Sequence, residues 1–231
     1  ILQLLVVALG MAGLKFKYTP LIDFKNQSFR EVLRVLPARA IDQGVDSINA
    51  IVETRFASRL LTGSVTWYEN ALVLHFAPIS LIGNSISTAA FPRLTDRLAQ
   101  GRTDLFRKEF IKVLRTMIWI ALPVVVVSFF ARAYLARIIF ARSSSEIAMI
   151  FGFLSVAIFF RIIYTIISRY FYAHKDTKTP LYVSLFVIAL NVFLAYTLSK
   201  PSAYGVAGLA IAQSIVALTE VMILVAIMIQ R

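Results

Sequence analysis

The sequence contains 231 residues, of which 59% are hydrophobic and 16% charged, and its formal net charge is +12. A soluble domain usually has about a quarter of its residues charged, whereas runs of about 18 or more weakly charged residues, as found here, are typical of transmembrane helices. The composition therefore predicts an all-α polytopic membrane protein. There is no cysteine, which excludes disulfides and thiolate metal sites.

The first residues predict the end of a helix rather than a complete one. "ILQLLVVALGMAGL" (residues 1–14) runs directly into the basic "KFKY", as a spanning helix does where it leaves the membrane. We expect residues 1–14 to end a preceding transmembrane helix and residues 15–30 to form a cytoplasmic connector. The sequence is then the C-terminal portion of a longer protein.

Residues 31–231 predict a six-helix transmembrane lobe. The residues before Pro180 and Pro201 are biased away from helical backbone, which supports breaks at those points. The basic segment 93–112 is predicted to be a solvated connector, with interfacial amphipathic helices as the alternative. The predicted spans are 31–58, 66–92, 109–131, 146–170, 180–199 and 204–230.

The distribution of Lys and Arg predicts the orientation, because cytoplasmic loops carry the excess of these residues. Sixteen of the 24 lie in 15–34, 93–115, 169–178 and at 231, and five lie in the opposite set of loops. We therefore predict a multi-pass membrane protein with the C-terminus of this segment in the cytoplasm. Basic residues spread over helix ends suit anionic membrane lipids. Nucleic-acid binding, which needs one continuous basic face, is not expected.

The predicted helix at 31–58 carries most of its charges on one side. Residues three and four apart share a helix face, and that spacing aligns Arg39, Asp42, Asp46, Asn49 and Glu53. A charge at the bilayer centre costs roughly 2.5–3.5 kcal/mol on insertion scales, so we do not expect this stripe to face lipid. Such residues usually mark a transport pathway, and a network that only locks helices together is the alternative. The excess of acids over bases favours the pathway.

Arg161 is a second intramembrane cation. It lies about eight residues from the cytoplasmic end of its helix and Arg39 about six, so both sit at similar depth in the inner half of the membrane. Together they could hold an anionic group such as a lipid-linked diphosphate. Alternatively, Arg161 reaches the membrane surface or pairs with an acid of the stripe. Glu220 is an intramembrane acid that could belong to a groove or relay, but single polar residues within spans more often serve packing. His75 is expected to be a tolerated polar residue rather than a proton carrier.

Three segments resemble one family in order and spacing. They are "VLPARAIDQGVDSINAIVETRFASRLLTGSV" (35–65), "GSVTWYENALVLHFAPISLIGNSISTAAFPRLT" (63–95) and "FYAHKDTKTP" (171–180). These are similar to segments of the lipid II flippases of peptidoglycan synthesis, the MurJ/MviN family of the MOP exporter superfamily. The resemblance extends over nearly the whole chain.

The resemblance implies one lobe of a two-lobed, V-shaped transporter whose lobes enclose a cationic cavity. The implied cargo is a polyprenyl-diphosphate-linked peptidoglycan precursor, moved by alternating access without ATP hydrolysis, and no cofactor or metal is expected. The implied partners are this lipid-linked oligosaccharide, membrane lipids and a missing N-terminal lobe. The chain departs from the family where many members carry an Asp-Arg pair, here Leu72 and Val73. Thr165 stands where many carry a Lys, and Arg161, one turn earlier, could replace it.

Two other functions remain open at this point. A cation-coupled exporter of drugs or polysaccharides, from the same superfamily, would suit the acids of the stripe. An integral-membrane enzyme is not expected, because the sequence has no HExxH or G-x-S-x-G motif and no acid cluster in a loop. A scaffold without transport would require the polar stripe to be fully paired and dry.

Overall fold

A computed structural model describes residues 27–140, 144–200 and 203–230, and the regular elements in that part are all helical. Residues up to Pro37 form one compact unit and Ala38–Arg231 form another. The site described below lies within the second unit. The predictions for 1–14 and for most of 15–30 fall outside the described residues.

The helices are α1 (Gln27–Ala57), α2 (Ser64–Pro78), α3 (Ser85–Ala99), α4 (Thr103–Phe130), α5 (Arg132–Ile139), α6 (Ser144–Ala173), α7 (Lys178–Leu198) and α8 (Val206–Ile229).

Five helical segments, rather than six, are long and apolar enough to cross a membrane among the described residues. They are Ser64–Ala99, α4, α6, α7 and α8. The prediction of six spans is therefore wrong by one on this criterion. The predicted span at 31–58 corresponds to α1. This helix is long enough to cross a membrane, at 31 residues, but it carries too many charges to count as an apolar span. The multi-pass, all-α character of the chain is confirmed.

The longest span contains a change of helix type. A π-helical stretch, Ile79–Asn84, joins α2 to α3 without a break. The Ser85 hydroxyl donates a hydrogen bond of 3.1 Å to the Ser80 carbonyl, five residues earlier. Gly83 lies against Thr165 of α6, and a β-carbon at Gly83 would come within 3.2 Å of the Thr165 side chain. The absence of a side chain at residue 83 thus allows α6 to approach the π-helical stretch closely.

The basic segment 93–112 is mostly helical, which corrects the prediction of a connector. α3 continues to Ala99 and α4 begins at Thr103. The turn between them contains Gly101 with a φ of 71°, and it is closed by a 3.0 Å hydrogen bond from the Arg102 N–H to the Arg97 carbonyl. A left-handed glycine is a common way to end a helix. The basic residues therefore lie on helix ends rather than in a loop.

α6 is the central helix and packs against α2, α4, α5 and α8. Side chains four or seven residues apart along it are fully buried: Ile147, Leu154, Ile158, Ile162 and Ile166. A neighbouring face of the same helix packs with α7 and α8. Lipid is as apolar as these side chains, so close van der Waals packing, rather than removal from water, holds such helices together.

Close approach between α7 and α8 depends on a glycine. A β-carbon added at Gly208 would overlap the Leu198 carbonyl at the end of α7. Ala207, Leu209 and Ala210 beside it are also buried. Small residues at helix interfaces in membranes allow backbones to approach in this way.

Candidate functional site

A group of buried polar side chains lies between the helices of the second unit. Charged and polar side chains within membrane helices usually face the protein interior, where they find partners. We call this group the polar cluster. Its described members are Asn49 and Glu53 of α1, Tyr68 and His75 of α2, Arg161 of α6, Asn191 of α7, and Gln213 and Glu220 of α8.

Glu53 is the centre of the first half of the polar cluster. The Tyr68 hydroxyl donates a 2.9 Å hydrogen bond to Oε2 of Glu53. The Asn191 side-chain amide donates to Oε1 of Glu53 at 3.0 Å and to Oδ1 of Asn49 at 3.2 Å. Glu53 is 3% exposed and Asn49 is 7% exposed. These contacts join α1 to α2 and α7 through a carboxylate that accepts hydrogen bonds at both oxygens.

Arg161 is the centre of the second half. Its Nη1 forms an ion pair with Oε2 of Glu220 at 3.0 Å, and the exposed side-chain fractions are 16% and 5%. Its Nη2 lies 3.5 Å from Oε1 of Gln213, a long and therefore weak contact. Gln213 and Glu220 are two helical turns apart on α8, so they share a face. α6 and α8 are thus joined by charge as well as by packing.

The two halves meet at α2. Tyr68 hydrogen-bonds Glu53, and α2, which carries Tyr68 and His75, packs against α6, which carries Arg161. His75 is fully buried, and within the described part of the structure neither of its ring nitrogens has a hydrogen-bond partner. The polar cluster therefore contains two acids and one base among its described members, linked across five helices.

The predicted site residues are only partly described. Asn49 and Glu53 lie on one face of α1, as their spacing predicted, because the Asn191 amide reaches both. The side chains of Arg39, Asp42 and Asp46 lie outside the described part. Arg161 pairs with Glu220, an intramembrane acid for which the sequence predicted no particular partner.

Tyr68 and Asn191 bind the predicted site residues Glu53 and Asn49, but the sequence did not assign them to the site. An intramembrane Asn beside apolar neighbours signals that a polar partner exists, but that signal does not say which helix supplies it. Asp176 has a structural role that the sequence did not predict. In the structure it accepts hydrogen bonds from the Lys178 and Thr179 N–H groups at 3.1 and 3.0 Å, so this acid of the "HKDTKTP" segment caps α7.

The positions that depart from the resembling family lie in different surroundings. Val73 is 60% exposed and Leu72 is half-buried in the core. Thr165 donates a 2.7 Å hydrogen bond to the Ile162 carbonyl of its own helix and packs on Gly83. Among the described residues, no group of three His, Asp or Glu side chains is placed to hold a metal ion.

Comparison with known proteins identifies the family. The model of the family described as "Lipid II flippase MurJ" matches residues 1–231. The chain belongs to the MurJ family. One relative, the "Probable lipid II flippase MurJ" of Borreliella burgdorferi, is 23% identical over 220 residues, covering 93% of this chain and 43% of that protein. The chain therefore spans less than half the length of this MurJ relative.

Solved structures support the fold. A MurJ lipid II flippase in an inward closed conformation matches with a TM-score of 0.76 and 23% identity, over 94% of this chain and 46% of that one. An outward-facing multidrug resistance transporter of the MATE family, in the MOP superfamily, matches with a TM-score of 0.78 and 14% identity, over 87% of this chain and 45% of that one. The helices thus have the same fold as part of these two structures.

Proposed function

We propose that the full-length protein containing this chain is a flippase that moves lipid II, a polyprenyl-diphosphate-linked peptidoglycan precursor, across the bacterial inner membrane by alternating access. The match of the MurJ family model to residues 1–231 carries the proposal. This chain supplies the second lobe, and a first lobe outside this sequence completes the cavity. The protein is a transporter rather than an enzyme and uses no cofactor.

The pathway wall is proposed to include the predicted stripe and Arg161. Its residues are Arg39, Asp42, Asp46, Asn49, Glu53 and Arg161. The buried ion pair at Arg161 supports a cationic group at membrane depth, and a guanidinium suits a diphosphate because it offers several fixed donors. In the conformation described, Asn49 and Glu53 are covered and hydrogen-bonded to α7, so cargo reaches them only after the helices separate.

We propose that the C-terminus of this segment and the α3–α4 turn lie in the cytoplasm. The excess of Lys and Arg at these ends supports this assignment. Arg97 and Lys112 then lie on the cytoplasmic side, and Arg59 and Lys200 on the opposite side.

A flipping assay on the full-length protein tests the proposal. Liposomes containing fluorescent lipid II report its transfer between leaflets through accessibility to a membrane-impermeant quencher. A hydrogen bond to a charged group contributes about 1.5–3 kcal/mol, so Arg161→Gln is expected to slow flipping about tenfold or more. Arg137→Gln, an exposed cation on α5, is the matched control and should flip normally. Absence of flipping by the wild-type protein would contradict the proposal.

A cation-coupled exporter of drugs or polysaccharides is the second candidate. The buried acids Glu53 and Glu220 favour it, because a carboxylate can carry a coupling cation. Depletion of the protein separates the two candidates. Cell-wall failure with accumulation of lipid II fits the flippase, whereas normal growth with increased drug sensitivity fits the exporter. The chain of residues 1–231 expressed alone should not flip lipid II, because a cavity between two lobes needs both.

A further inference from the structure

α4 has an exposed face whose chemistry changes in order along the helix. The helix advances about 100° per residue, which places Lys108, Lys112 and Arg115 on one side within two turns. One turn further, Trp119 lies on the same side and is 72% exposed. Beyond it on that side are Leu122 and Val126, which are 45% and 51% exposed. We call these six residues the α4 outer face.

The three cations of the α4 outer face have no acidic partner among the described residues. All three are exposed, and none forms an ion pair with an acid in the described part of the chain. The contrast with the other side of the same helix is clear, because Glu109 there binds Arg97 of α3 at 3.0 Å. Asp104, the nearest acid along the outer face, lies one turn before Lys108 and pairs with none of the three cations.

The α4 outer face is also the side that the rest of the described chain leaves open. In the apolar 18-residue stretch of α4 only 17% is buried, whereas 67% of the corresponding stretch of α6 is buried. Buried residues such as Phe106, Phe110, Met117 and Ala121 lie on the opposite side of α4. The cations therefore project away from the helix bundle.

We propose that the α4 outer face binds an anionic phospholipid, with Lys108, Lys112 and Arg115 on the headgroup phosphate and Trp119 at the level of the glycerol. The order of chemistry matches such a lipid from headgroup to acyl chains. The cations span about 10 Å of helix and Trp119 lies about 6 Å deeper, while Leu122 and Val126 contact the chains. Trp is favoured at this boundary because its ring is amphipathic.

Charge decides between this partner and a second copy of the chain. A symmetric dimer through the α4 outer face would place these cations opposite their own copies, which is repulsive. An anionic headgroup is complementary instead. Each cation near an anionic membrane surface contributes about a fivefold increase in affinity, so three together distinguish an anionic lipid from a zwitterionic one.

The test uses the full-length protein, purified in detergent and titrated with phosphatidylglycerol or phosphatidylcholine, with bound lipid counted by native mass spectrometry. The variant carries Lys108→Gln, Lys112→Gln and Arg115→Gln. The matched control carries Arg59→Gln, Arg137→Gln and Lys200→Gln, three exposed cations from the other helix ends. We expect at least tenfold weaker binding of phosphatidylglycerol by the variant, less than twofold change in the control, and no change for phosphatidylcholine.

Two further measurements locate the lipid. A photoactivatable phosphatidylglycerol should form adducts within residues 108–126 of the wild-type protein. The charge-conserving variant Lys108→Arg, Lys112→Arg, Arg115→Lys should bind like wild type. Equal loss of binding in the variant and the control would overturn the proposal. Adducts found only outside residues 108–126 would also overturn it, and this result is expected if another part of the protein covers the α4 outer face.

Discussion

Arg161 of α6 and Glu220 of α8 form a 3.0 Å ion pair inside the helix bundle. Removing one partner from a buried pair costs about 3–5 kcal/mol, because the remaining charge loses its counter-ion. The pair lies in the most extensive helix contact of the described chain, between α6 and α8. Charge and packing therefore stabilise the same interface.

Reversal of the pair tests this finding. Arg161→Leu should lower the melting temperature of the full-length protein markedly, because Glu220 loses its counter-charge. Glu220→Gln should cost less, because an amide oxygen still accepts from the guanidinium. The double exchange Arg161→Glu with Glu220→Arg should recover part of the loss. Additive losses in the double variant, measured by thermal unfolding in detergent, would show that the two charges do not interact.

The hydrogen bond from Tyr68 to Glu53 should appear as a coupling energy. Interhelical hydrogen bonds in membrane proteins average about 0.6 kcal/mol and reach about 1.7 kcal/mol. A double-mutant cycle with Tyr68→Phe and Glu53→Gln should therefore give a coupling in that range. Tyr182→Phe, at a position that is 67% exposed, is the control and should show no coupling with Glu53→Gln.

Two glycines should respond in opposite ways to alanine. Gly208→Ala places a β-carbon where the Leu198 carbonyl lies, so it should separate α7 from α8 and lower the folded yield. Gly44→Ala meets no atom of the described residues within 4 Å and should be neutral, or stabilising by up to about 1 kcal/mol through helix propensity. Size-exclusion profiles and melting temperatures measure both. Equal behaviour of the two variants would contradict the close packing.

The cap of α7 should depend on an oxygen acceptor at residue 176. Asp176→Ala removes the acceptor for two backbone N–H groups and should cost about 0.5–2 kcal/mol. Asp176→Asn keeps an oxygen at the same place and should lose much less. Hydrogen exchange at the Lys178 and Thr179 amides reports the cap directly, and unchanged exchange in Asp176→Ala would rule it out.

Cysteine accessibility tests whether the α1 stripe faces a hydrated pathway. The chain has no native cysteine, so single cysteines at 42, 46, 49 and 53 can be compared with cysteines at 41, 45 and 48. A water-soluble thiol reagent should label the first set but not the second. Labelling at 49 and 53 should be slow, because Asn49 and Glu53 are buried in this conformation. If all seven positions stay unlabelled in every condition, the stripe is a packing network.

Periodicity predicted which residues of α1 share a face, but it could not predict their partners. Asn49 and Glu53 face the same way because they are four residues apart, which is a local property. Their common partner, Asn191, is 138 residues from Glu53, and the partner of Arg161 is 59 residues away. Such pairings depend on how helices pack, and a helix period contains no information about that.

The sequence was also misleading at residues 93–112. Its polarity suggested a connector, but Lys, Arg, Leu and Ala are good helix formers. Helices therefore continue beyond the apolar core and only Gln100–Arg102 separate them. The predicted number of spans was wrong because α1, although long enough to cross a membrane, carries too many charges to count as an apolar span.

The π-helical stretch at Ile79–Asn84 sets the rotational phase between the two ends of one helix. A π turn accommodates an additional residue relative to the α-helix, so every side chain beyond it is displaced around the axis. Tyr68 and His75 face the polar cluster before the stretch, and Arg97 faces Glu109 of α4 after it. Deleting one residue there would restore a continuous α-helix and turn α3 by about 100° relative to α2. The stretch thus lets one uninterrupted span serve two interfaces that a regular helix could not align together.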